Sequence, residues 1–122
     1  MFDRSQHEQA NDELPLIDER VMSEWCGDLG KADVAELLAH VPAEGHKCLG
    51  WIKEAASRGD LASAKRVAHR LKGMASNLGA ARLASIARQI ELASADVADL
   101  TARSAALETT LIATLEALRE RA

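Results

Sequence analysis

Four histidines and two cysteines are the side chains of this 122-residue chain best suited to nucleophilic or metal-ligand chemistry. Cys26 and Cys48 lack a CxxC spacing and fall at apolar-periodic positions, which marks them as small, reduced core residues. His7, His40, His46 and Cys48 show no i,i+4 pairing or other metal-ligand spacing, so no metal site is expected; His7 belongs to a polar N-terminal stretch, and His40 and His46 read as surface or helix-edge residues. His69 stands apart. Between Leu61 and Ile90 there is no Asp or Glu, while Lys65, Arg66, Arg70, Lys72, Arg82 and Arg88 contribute six positive charges. An imidazole with a free ring nitrogen is a nucleophile. Lys72 and its basic neighbours would attract a dianionic phosphoryl group and stabilise it once attached. Gly73, inside a helix at a cost of about 1 kcal/mol relative to Ala, leaves the imidazole uncovered on that side.

The elements that must position these residues are helices. With 48% hydrophobic residues but no Tyr, one Phe and two Trp, the chain draws its apolar content mainly from strong helix formers such as Ala and Leu. Its length suits a single domain, and nothing in it reads as a strand, a repeat or a low-complexity run. Residues 1–15 are polar and aperiodic, which predicts a flexible tail followed by a helical domain over 16–122. Ile17, Val21, Met22, Trp25 and Leu29 recur at spacings of three and four and predict a first helix closed by Gly30. A second begins near Asp33 and carries the stripe Val34, Leu37, Leu38, Val41, Gly45, Cys48, Leu49, Ile52, Ala55 and Ala56, with a kink expected at Pro42. The third spans about Leu61 to Leu78, capped by Asp60 and terminated by Gly79; a fourth, on Leu83, Ile86, Ala87 and Ile90, ends around Ala95. Asp96 caps a fifth on Leu100, Leu107, Leu111, Leu115 and Leu118. Short connections force antiparallel neighbours, so the expected fold is all-α: an up-down antiparallel four-helix bundle of helices two to five, with helix one as an N-terminal lid. At 100° per residue His69 lies about 200° from Leu71, the middle of the buried stripe, and points outward.

The charge distribution sharpens this reading. The formal net charge is -4, but outside the Leu61–Ile90 segment nine basic residues face nineteen acidic ones, a net of -10. An acidic body with one basic segment argues against sequence-independent binding to nucleic acid or anionic lipid, and points to a localised acidic or phosphorylated partner. The N-terminus has no apolar run of signal-peptide type, and no stretch approaches the roughly 18 apolar residues of a membrane span; a cytoplasmic location is expected.

The run Ala68-His69-Arg70-Leu71-Lys72-Gly73-Met74-Ala75-Ser76-Asn77-Leu78-Gly79-Ala80 resembles the signature of histidine-containing phosphotransfer (HPt) domains, in which the phosphorylated His is followed by x-Leu-Lys-Gly and then Leu-Gly-Ala. Gly59-Asp60, Leu83, Gln89 through Leu92, and Asp28-Leu29-Gly30 ahead of Leu37-Leu38 also look like that pattern, and the similarity extends from about Ile17 to Leu118. The resemblance implies a bacterial phosphorelay: His69 accepts a phosphoryl group from the aspartate of one receiver domain and passes it to the aspartate of another. It implies phosphorylation on the ring nitrogen remote from the backbone, with Lys72 holding the phosphate, Gly73 giving access and Ser76 near the site. Lys65, Arg66, Arg70 and Arg82 are then candidates for receiver docking. The partners would be receiver domains of response regulators and hybrid histidine kinases, with this chain a monomer. Pro42 and the Ala43-Glu44-Gly45 that follow depart from the pattern, as does Arg70, where small polar residues are common.

No Gly-rich phosphate cradle, nucleotide motif or paired carboxylates near His69 can be read, so neither autokinase chemistry nor a cofactor of its own is expected; Mg²⁺ would come with the receiver. The rival readings are a sensor-kinase dimerisation domain, disfavoured by Arg70 after the His and the missing Pro, and a helical adaptor that docks a partner without phosphotransfer.

Overall fold

The computed structural model describes residues 14–121, and within them the chain forms five helices: α1 Glu19–Asp28, α2 Lys31–Ser57, α3 Leu61–Leu78, α4 Ala81–Ala93 and α5 Val97–Glu120. There are no strands among the described residues. The tail expected at the N-terminus falls mostly outside the described residues. Leu14 and Pro15, assigned to it by sequence, are held: their carbonyls accept from the Arg82 side chain and the Arg82 amide respectively.

Each boundary has a local cause. Asp18 precedes α1 as its N-cap, its carboxylate accepting from the amides of Arg20 and Val21, so the helix starts later than the apolar stripe does. Gly30, expected to close α1, instead caps α2, which begins two residues before Asp33. Asp60 caps α3 through the Ser63 amide at 3.0 Å, and Gly79 ends it in the left-handed conformation, φ 86°. A Cβ at Gly79 would also stand 2.9 Å from the Asp18 carbonyl oxygen, so glycine is required there twice over.

Helices α2 to α5 close into a ring in which α3 packs on α2 and α4, and α5 packs on α4 and α2; α1 lies across the end near the α3 C-terminus. The line Ala64, Ala68, Leu71, Ala75 and Leu78 is the buried face of α3, and its alanines let neighbouring helices approach closely. Pro42 does not interrupt α2. It is exposed, while Leu38, Val41 and Gly45 on either side are buried and pin both halves of the helix to the bundle. Gly45 faces Leu111 so closely that a Cβ would lie 2.9 Å from its Cδ1. Two stripe assignments fail: Leu29, the C-cap of α1, and Leu37, in the opening turns of α2 where from Lys31 to Leu37 only Val34 is even partly buried, are both exposed. Ser104 and Thr114, buried on α5, donate to the carbonyls of Leu100 and Thr110 in their own helix and so add no unpaired polar group to the core.

Candidate functional site

His69 projects from the middle of α3 with 67% of its side chain exposed, as the helical phase requires. Its surroundings are not purely cationic. Glu91, on α4, places Oε2 2.5 Å from His69 Nδ1 and Oε1 2.7 Å from Lys72 Nζ. One carboxylate thus ties together the imidazole and the lysine one turn along. The Glu91 side chain is only 18% exposed, while the imidazole it meets stays open to water. The Lys72 hydrogen bond, chiefly, holds the Glu91 carboxyl below its ordinary range, against the opposing effect of desolvation, with the His69 hydrogen bond contributing further. Glu91 is therefore ionised at neutral pH and can only accept. The proton in the short contact belongs to Nδ1, which leaves Nε2 of a neutral ring with its lone pair free.

The acidic partner was hidden because it lies beyond Ile90, where the acid-free segment ends. The signal that finds it is the turn: α3 and α4 are antiparallel about Ala80, and His69 and Glu91 stand eleven residues on either side of it. The basic segment thus meets its acid across the turn, on the neighbouring helix.

The remaining candidates separate into groups. Gly73 is exposed and an added Cβ would meet nothing within 4 Å, so no packing within the chain requires glycine there. Ser76 is exposed on the same face, but about 10 Å along the axis, and no hydrogen bond joins it to His69, Lys72 or Glu91. Lys65 is partly buried one turn before His69, and Arg66 donates to the Ser63 hydroxyl near the start of the helix. Arg70 is not a loose surface cation: its guanidinium lies 2.5 Å from Glu44 Oε1 and 5.7 Å from the centre of the Trp51 ring on α2. Arg82 is removed from the site altogether. It sits at the start of α4 and donates from Nε and a terminal nitrogen to the Leu14 carbonyl, fastening the chain that leads into the lid. Its guanidinium is engaged at the lid end of the bundle, and the docking role expected from its place in the basic segment is not what these contacts show. Cys48 is buried, and burial pushes its thiol pKa up, which agrees with an inert core residue; Cys26 is half-buried. Among the described residues no three His, Cys, Asp or Glu side chains gather as a metal site would require.

Between the lid and the bundle a groove of about 510 Å³ opens, lined by Trp25, Leu29, Leu37, Val41, Met74 and Leu78, with Glu44 on its edge beside Arg70. The chain is thus a small antiparallel helical bundle that presents an exposed imidazole, backed by a carboxylate and flanked by lysine and glycine, from the middle of a helix. A family model described as the Hpt domain matches residues 36–121, and the chain belongs to that family. Hpt domains are phosphotransfer intermediates of two-component signalling, phosphocarriers rather than enzymes. No curated protein and no solved structure gives a significant match. No helix among the described residues is long and apolar enough to cross a membrane.

Proposed function

We propose that this chain is a phosphorelay intermediate in which His69 takes a phosphoryl group from a receiver-domain aspartate and gives it to a second receiver aspartate. The observation that carries this reading is the Glu91 carboxylate on Nδ1, which leaves Nε2 as the nucleophile on a ring two-thirds open to a partner. The Nε2 lone pair attacks phosphorus in line, the P–O bond of the aspartyl phosphate breaks, and the receiver's carboxylate departs with the bonding electrons. No proton need leave Nδ1. The positive charge that the phosphorylated ring acquires is offset by Glu91, 2.5 Å away. Lys72 can turn from Glu91 towards the phosphoryl oxygens, and Gly73 leaves the approach to the ring open. Return of the phosphoryl group to a second aspartate is the same step reversed.

Mg²⁺ belongs to the receiver in this reading. Both oxygens of Glu91, the carboxylate at His69, already meet cationic or N–H donors. The chain works in the cytoplasm as a monomer, without autokinase activity. Incubation with a phosphorylated receiver and Mg²⁺ is expected to label the protein with an acid-labile, base-stable phosphate. A wild type that takes no label, or a label that survives His69→Gln, would overturn the proposal. Docking that persists in His69→Gln with unchanged signalling output would instead favour an adaptor, a role to which the open apolar groove is suited.

A further inference from the structure

The chain has three aromatic residues, and one of its two tryptophans is placed where the fold makes little use of it. Trp51, on α2, is 38% exposed and lies outside both apolar clusters of the core. Two cations meet its ring: Lys47 Nζ at 5.5 Å and the Arg70 guanidinium at 5.7 Å from the centroid. Glu44 accepts from Arg70 at 2.5 Å. Glu44, Lys47 and Trp51 are spaced by three and four and so share one face of α2, while Arg70 reaches across from α3, immediately after the phosphoacceptor. The result is a rack on which a long, otherwise flexible arginine is fixed before any partner arrives, so that little side-chain entropy remains to be lost on binding.

We infer that Lys47, Trp51 and Arg70 form a partner-reading patch that seats the acidic rim of the receiver domain engaging His69. The inference rests on the proposed relay function and adds to it a second helix, α2, as a determinant of which receiver is accepted. Charge complementarity selects the occupant. A domain that carries an aspartyl phosphate and holds Mg²⁺ must bring carboxylates to the mouth of its site. When its phosphorus lies in line with His69 Nε2, the surface next to that mouth faces Arg70 and the helix beside it. Two cations on an exposed indole offer such a rim both charge and a flat apolar contact. Trp and Arg are the residue types that most often dominate binding energy at protein interfaces.

The test compares two phosphodonors. Phosphoramidate, a small donor that needs only the imidazole, reports on the nucleophile; a phosphorylated receiver found to transfer to the wild-type chain reports on docking. Trp51→Ala and Lys47→Glu are expected to raise the half-saturating receiver concentration by about tenfold each, with labelling by phosphoramidate like that of the wild type. Trp51→Phe should recover much of the Trp51→Ala loss, and Lys47→Glu should flatten the dependence of transfer on salt. Unchanged half-saturation in Trp51→Ala and Lys47→Glu overturns the inference. So does an equal loss with both donors, which would mean that the substitutions disturb the bundle. If phosphoramidate labels His69 but no receiver transfers to the wild type, the relay function itself fails and this inference falls with it.

Discussion

The lid end and the face around His69 each contain one tryptophan and one arginine from the basic segment, and they use them in opposite ways. At the lid, Trp25 donates Nε1–H to the Leu78 carbonyl at 2.9 Å, and Arg82 donates twice to the Leu14 carbonyl. Asp18 and Gly79 meet there through a backbone hydrogen bond of 2.6 Å. These polar groups join one part of the chain to another. Around His69, by contrast, Trp51 is half-exposed, Arg70 is held on it, and the imidazole is anchored by one nitrogen only. The residue types are alike in the two places. What differs is the kind of partner and the exposure: the lid groups donate to backbone carbonyls, whereas His69 and Arg70 pair with side chains and stay largely open to solvent, which separates an element that completes the fold from one that can meet another molecule.

Substitutions can break this contrast. The largest effect is expected at Glu91. Glu91→Ala releases both the imidazole and Lys72 and should slow receiver-to-His69 transfer by roughly 10- to 100-fold in a single-turnover assay, with the bundle still folded. Glu91→Gln, whose amide oxygen can still accept from Nδ1, should lose less; equal rates in wild type and Glu91→Ala would show the pair to be incidental. Next comes Gly79→Ala, which forces an L-residue to φ 86° against the Asp18 carbonyl. It should cost about 1–3 kcal/mol in thermal unfolding and loosen α1, while phosphoramidate labelling of His69 stays at the wild-type rate. Arg82→Ala, which removes two donors from the Leu14 carbonyl, should cost about 1–2 kcal/mol, seen as a fall in Tm of several degrees. A large loss of receiver transfer without loss of stability would return Arg82 to the docking surface.

The smallest effect concerns pH and follows from the depressed Glu91 carboxyl. A carboxylate whose pKa is lower in the folded state contributes stability that is fully present above its unfolded pKa, about 4.3, and is lost as pH falls through the folded value. The Tm difference between wild type and Glu91→Gln should therefore be constant near neutrality and shrink on acidification below about pH 4. A difference that persists unchanged to pH 2 would mean that ionisation of Glu91 does not matter to the fold.

These contrasts also show why the sequence was readable in some places and opaque in others. Asp60 and Gly79 bracket α3 as a cap and a left-handed stop, local events that involve residues close in sequence, and the outward aim of His69 follows from helix phase alone. At Pro42 a local penalty does not end the helix, because buried residues Leu38, Val41 and Gly45 hold both sides of it to the bundle. Glu91, Glu44 and Trp51 reach the site from other helices, 22, 25 and 18 positions from His69, and they become visible only when the antiparallel pairing is fixed. Arg82 looked like its basic neighbours because a run of charge records composition and not the direction in which each side chain finds an acceptor.

The central claim is that phosphoryl groups pass through Nε2 of His69 between two aspartates. The most direct measurement is a two-stage chase with purified components: a radiolabelled phospho-receiver, this chain, and a second receiver, sampled over time with Mg²⁺ present. The label should appear on this chain, decline as it appears on the second receiver, and, with His69→Gln, remain on the first. Direct arrival at the second receiver at the same rate without this chain, or through His69→Gln, would contradict the account.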